Sequence, residues 1–216
     1  MRPSTTWVAA LFAAGSTCFL VAPFPGFVEL VGQQADAGVF FVGSLLFTSA
    51  ATLQWLPVHQ PRATVWWSNS WQLVGTVFFN ATTFRALSTA TDSADYDRVV
   101  WRPDAFGSVC FLVSGLLAYA VAAGSWRRRP PPTDDGRIAA VNLAGCVAFG
   151  VSAAAAYVVP STSEALDARL ANSTTALGAL CFLVGALLLL RGERLSRAGQ
   201  SDARGRFPRS RSRGRS

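Results

Sequence analysis

The chain has no lysine, one histidine and four cysteines, and only 14% of its 216 residues are charged. That charge content falls well below the quarter typical of soluble domains. The charges also avoid six stretches entirely: residues 7–28, 37–58, 63–84, 105–126, 138–163 and 170–190 contain no Asp, Glu or Arg. An intramembrane acid or base is what a proton-coupled transporter or a voltage sensor needs. Its absence from these stretches argues against both. HExxH, P-loop, GxGxxG and CxxC motifs are all missing, and His59 in LPVHQPR has no carboxylate or cysteine close by. With no Ser/His/Asp set either, no catalytic residue, metal ligand or cofactor is expected, and the chain does not read as an enzyme. All nineteen basic residues are arginine. That usage suggests a GC-rich, bacterial genome more than a function.

What remains is apolar. About 20 apolar residues in a helix cross a bilayer core. Six such windows predict six transmembrane helices, over about 7–24, 37–56, 70–87, 105–126, 138–159 and 171–190. A soluble chain this small could not hide six helices that are apolar on every face. Six spans also leave no room for a separate soluble domain. The run from Trp7 to Phe24 is too long for a signal-peptide core, so it reads as a retained first span. The expected organisation is an all-α membrane bundle over residues 1–191, followed by a disordered basic tail over 192–216.

Arginine sets the orientation, because basic residues collect on the cytoplasmic side. Arg2, Arg62, Arg127, Arg128, Arg129, Arg137 and nine arginines from Arg191 to Arg215 fall on one face, fifteen in all. Arg85, Arg98, Arg102 and Arg169 fall on the other, with eight of the twelve acids. Both termini are therefore expected in the cytoplasm, with the protein in the inner (plasma) membrane. All seven tryptophans sit near predicted span ends, as an interfacial aromatic belt would.

Each predicted span carries the same short pattern: a glycine, a small residue, two variable positions and a phenylalanine. The pairs are Gly15 and Phe19, Gly43 and Phe47, Gly75 and Phe79, Gly107 and Phe111, Gly145 and Phe149, and Gly178 and Phe182. Residues four apart share a helix face. In lipid, helices associate through close packing of small residues. The expectation is a hairpin repeated three times, with each glycine notch taking a phenylalanine from a neighbour. Cys18, Cys110 and Cys181 open a CFLV repeat three residues after their glycine. They read as packing residues and not as a metal or redox set.

Among uncharged polar residues in the spans, Asn80 and Asn142 are candidates for a polar pocket between helices. The alternative for both is interhelical hydrogen bonding. The acidic external loop, with Asp92, Asp95, Asp97 and Asp104, lacks the glycine and distal glutamate of a calcium loop and reads as solvated. Within it, Trp101 is expected as a membrane anchor, with Arg102 pairing to Asp104. Expected partners are membrane lipids, including anionic head groups at the Arg-rich tail, and further copies of the chain; nucleic acid is not expected.

The motif in FFVGSLLF (Phe40–Phe47) resembles the YrhK-like bacterial membrane proteins. VGTVFFNATTF (Val74–Phe84), WRPDAFGSVCFLVSG (Trp101–Gly115) and ALGALCFLVGALLL (Ala176–Leu189) are similar to multi-span actinobacterial proteins related to them. Small members of that family have two spans, and this chain departs by having six. The resemblance carries no catalytic or ligand residue. Two functions follow as expectations. One is a non-enzymatic membrane protein that binds a lipid or small uncharged molecule or organises partners. The other is a facilitator for a small uncharged solute, with Asn80 and Asn142 on its path.

Overall fold

Proline and glycine decide where the helices of the computed structural model stop. It describes residues 5–58, 60–61, 63–89, 95–162 and 164–205. Helix α1 (Thr5–Val21) ends just before Pro23 and Pro25, earlier than the expected residue 24. Proline removes a backbone donor and clashes with the preceding turn. A short helix α2 (Phe27–Val31), absent from the sequence reading, lies between Gly26 at φ 88° and Gly32 at φ 84°. Helix α3 spans Gln33–Trp55. Helix α4 spans Thr64–Ala86 and so starts six residues before the expected 70. A π-helical turn, Asp97–Trp101, runs directly into α5 (Arg102–Ala123), which Gly124 closes in the left-handed conformation. Helix α6 covers Asp134–Ala155, and Thr133 caps it by accepting from Gly136 N at 3.2 Å. Where the span was expected to continue to 159, a two-residue strand β1 (Val158–Val159) pairs antiparallel with β2 (Glu164–Ala165).

Helix α7 runs Ala168–Gly205. This corrects the expectation of a tail disordered from residue 192. No proline occurs between Ala168 and Pro208. Glu193 and Arg197, one turn apart, approach to 3.7 Å, and the Arg197 guanidinium donates to Thr6 Oγ1 at 3.0 Å. Residues 206–216, His59, Arg62, Arg2 and Asp92 lie outside the described residues.

The architecture is all-α. Among the described residues, α3, the continuous Asp97–Ala123 segment, α6 and α7 are long and apolar enough to cross a membrane. The 17-residue α1 is shorter. Helix α4 has the length but carries Ser68, Asn69, Ser70, Gln72 and Asn80, which lower its apolarity.

These helices close into a ring in the order α1, α3, α4, α5, α6, α7, with α7 packed back on α1. Neighbours in the ring alternate in direction. The surface is apolar, and the interior combines phenylalanine rings with small residues, several of them hydroxylated. In each repeat the residue after the glycine is among the most buried: Ser16, Ser44, Thr76, Ser108, Cys146 and Ala179 are all at most 3% exposed. The next position points outward, as at Leu45, Val77, Val109, Val147 and Leu180. A contiguous apolar exterior of this kind needs lipid or another apolar phase around it.

Candidate functional site

The centre of the ring is built from the repeat. An added Cβ on Gly15 would sit 2.7 Å from the Phe47 ring, and one on Gly43 would sit 3.0 Å from the Phe19 ring. One on Gly75 would meet Phe111 at 2.5 Å, and one on Gly107 would meet Phe79 at 3.2 Å. Gly145 faces Phe182 and Gly178 faces Phe149, both at 3.1 Å. Each hairpin therefore makes the contact twice, reciprocally. The glycine carbonyls come as close as the rings: Gly43 O lies 3.0 Å from the Gly15 Cβ position, and Gly75 O lies 3.1 Å from that of Gly107.

The six phenylalanines converge. Within hairpins, ring centroids are 5.8 Å apart for Phe19–Phe47, 4.9 Å for Phe79–Phe111 and 5.7 Å for Phe149–Phe182. Between hairpins, Phe47 and Phe111 each lie 5.8 Å from Phe182, and Phe19 and Phe79 lie 6.1 and 6.0 Å from Phe149. Most of these contacts are edge-to-face, which suits the ring quadrupoles. This hub closes the middle of the bundle.

On one side of the hub lies a cavity of about 760 Å³. All six long helices line it: Val8 and Phe12 from α1, Gln54 from α3, Asn69 and Gln72 from α4, and Ser114 and Ala118 from α5. Helix α6 adds Asn142 and Cys146, and α7 adds Gly185 and Leu189. Phe111 and Phe182 form the floor. Its volume falls within the range of small-molecule sites, roughly 300–1,000 Å³.

Most of the polar groups here are already paired. Gln54 Nε2 donates to Asn69 Oδ1 at 3.0 Å, and Ser68 Oγ donates to the Ser114 carbonyl at 3.0 Å. Asn142 differs, because its Oδ1 is shielded from solvent and has no hydrogen-bond partner. It rests against Gly185, where a side chain would collide with it.

The structure separates the two asparagines that the sequence suggested for one pocket. Asn142 faces the cavity. Asn80 does not; its Nδ2 donates to Thr48 Oγ1 at 2.8 Å and ties α4 to α3. Gln54, Asn69 and Gln72 were not among the sequence candidates. The first and last turns of α3 and α4 lie outside the expected spans or at their edges, and nothing marked which face turned inward.

Among the cysteines, Cys146 lines the cavity, and a Cβ on Gly115 would sit 2.8 Å from its Sγ. All four cysteines are free. No group of three or more His, Cys, Asp or Glu residues lies close enough to hold a metal among the described residues.

Beyond the hub, a smaller cavity of about 270 Å³ is lined by Asp36, Phe40, Tyr96, Trp101 and Asp104. Burial, with Asp104 nearby, pushes the Tyr96 phenol above its ordinary pKa. Arg102 pairs with Asp97 at 2.8 Å, not with Asp104 as expected, because the π-helical turn brings Asp97 round to its guanidinium. Trp101 is anchored by its indole N–H, which donates to the Ala153 carbonyl at 2.8 Å. No family model, curated protein or solved structure matches the chain.

Proposed function

We propose that this is a six-span bacterial inner-membrane protein, with both termini cytoplasmic, that binds a small uncharged molecule in its central cavity. One observation carries the reading: a single cavity lined by all six long helices, ending on a closed hub of phenylalanines. The orientation is supported by Arg137 and by Arg191, Arg194 and Arg197, which lie at the end of the bundle where the cavity opens. The same arginines would meet anionic lipid heads. A relation to YrhK-like proteins belongs to this reading through the repeated motif. The reading is non-enzymatic, since the cavity lining offers amides, hydroxyls and rings but no acid–base pair.

The facilitator alternative needs Asn80 and Asn142 on one path. Asn80 instead bonds Thr48 between helices, which favours binding over conduction. Native mass spectrometry of the protein released from nanodiscs of its own membrane lipids tests the proposal. A reproducible non-lipid mass on the protein is expected. Bulk lipid alone, with a defined oligomer or a second polypeptide, would instead favour an organising role.

A further inference from the structure

The three helices that run in one direction, α1, α4 and α6, carry an equivalent residue three positions before the repeat glycine. These residues are Phe12, Gln72 and Asn142, and all three line the cavity. Each is seven residues before its hub phenylalanine, Phe19, Phe79 or Phe149. At ~1.5 Å per residue this puts one layer about 10 Å from those three rings, and it sits directly over the other half of the hub, where Phe12 meets Phe47 at 5.5 Å between ring centroids.

The layer is unlike the rest of the wall. Gln54 and Asn69 satisfy each other, and Ser68 is bonded to Ser114. Neither the Gln72 nor the Asn142 carboxamide bonds another described residue, and the Asn142 oxygen is both buried and unpartnered. A buried amide without a partner is costly. Asn142 and the half-buried, unbonded Gln72 in one layer, beside an aromatic ring, offer donors and acceptors. Among the described residues, no arginine lines this cavity, and its one acid, Asp135, is exposed at the mouth. A charged ligand at the depth of the layer would lose its water without gaining a counter-charge.

We infer that the Phe12–Gln72–Asn142 layer reads a neutral ring compound carrying a hydroxyl or carbonyl group, of the phenol or quinone class. The two carboxamides bond the oxygen, and Phe12 with the floor rings Phe111 and Phe182 packs the ring. Gln72 both donates and accepts, and Asn142 donates through its Nδ2, so hydroxyl and carbonyl forms are both served. This rests on the proposed binding role of the cavity.

The test uses calorimetric titration of the full chain in nanodiscs, with empty nanodiscs as the blank. Thymol is the probe. Its hydroxyl-free counterpart p-cymene and the anion 4-isopropylbenzoate are the comparisons. Thymol is expected to bind about tenfold or more tightly than p-cymene, with the anion weaker than thymol. Gln72→Leu and Asn142→Leu should each erase most of that preference. Gln72 bonds no described residue, so its loss leaves the internal hydrogen bonds intact and keeps the test sound if Asn142→Leu fails to fold. Ala118→Phe, which fills the cavity, should abolish binding.

If thymol and p-cymene bind equally and both are lost in Ala118→Phe, the amide inference is overturned while the cavity role stands. If 4-isopropylbenzoate binds as well as thymol, the neutral-ligand claim fails. If no probe binds above the blank, or Ala118→Phe changes nothing, both the inference and the cavity role fall.

Discussion

A glycine matters here according to what its missing side chain would touch. At Gly75 an added methyl would meet the Phe111 ring at 2.5 Å and the Gly107 carbonyl at 3.0 Å. Backbone cannot move aside cheaply, so Gly75→Ala should destabilise by about 1–3 kcal/mol through overpacking. Gly150 sits in α6 with nothing within 4 Å of its Cβ position. There alanine should be neutral or should stabilise by up to ~1 kcal/mol, because helical glycine is intrinsically poor. Thermal unfolding in one detergent compares the two; equal shifts would mean that the notch is not a packing device. The glycine–phenylalanine pairs were legible because residues four apart must share a helix face whatever the helix packs against. The roles of Asn80 and Asn142 were not, since both read as isolated amides in apolar runs. What separates them is rotation about the helix axis within the ring. Aligning the three parallel helices by themselves would have exposed Phe12, Gln72 and Asn142 as one position, a signal present in the sequence but hidden while all six spans were aligned together.

At the scale of elements, the long helices were readable from charge-free runs, but their ends were not. Proline stopped α1 early, the hairpin at Val158–Ala165 replaced the last turn expected of α6, and α7 ran on through Arg191 and Arg197. Each of these ends depends on local capping or pairing that hydropathy does not record. The start of α6 offers a clean test. The Thr133 hydroxyl accepts from Gly136 N, and Gly136 itself is pressed against the Pro131 carbonyl. Thr133→Ala should therefore cost about 1 kcal/mol, the usual value of an N-cap, and Thr133→Ser should restore it. Chemical denaturation of the two variants in the same micelles would read this. At the other end, Trp101→Phe keeps the ring beside Tyr157, whose centroid lies 4.8 Å away, but removes the bond to Ala153. The expected loss is on the order of 0.6 kcal/mol, the mean for such bonds in a membrane protein. A loss several times larger would mean that the π-helical turn depends on that bond and comes undone without it.

Across the whole molecule, the hub separates two cavities of different character. The larger holds uncharged amides, and the smaller holds Asp36 and Asp104. Phe111 is the natural place to ask whether the hub is a barrier, because it is only 2% exposed and approaches Phe47, Phe79, Phe149 and Phe182. Removing its ring should open a void at the point where the larger cavity ends. Large-to-small changes of this kind cost roughly 3–5 kcal/mol in well-packed cores, so Phe111→Leu serves as the milder companion that keeps much of the volume. Under the binding reading, liposomes holding the wild-type protein should take up glycerol no faster than empty ones, as followed by light scattering after an osmotic step. Phe111→Ala should raise that rate several-fold, and Phe111→Leu should raise it less. The ordering matters because a general loss of folding would make all the variants leak alike, to ions as well as to glycerol. If wild-type protein already accelerates glycerol entry, the hub is not a closed floor, and a facilitator replaces a binding protein as the better account of the cavity.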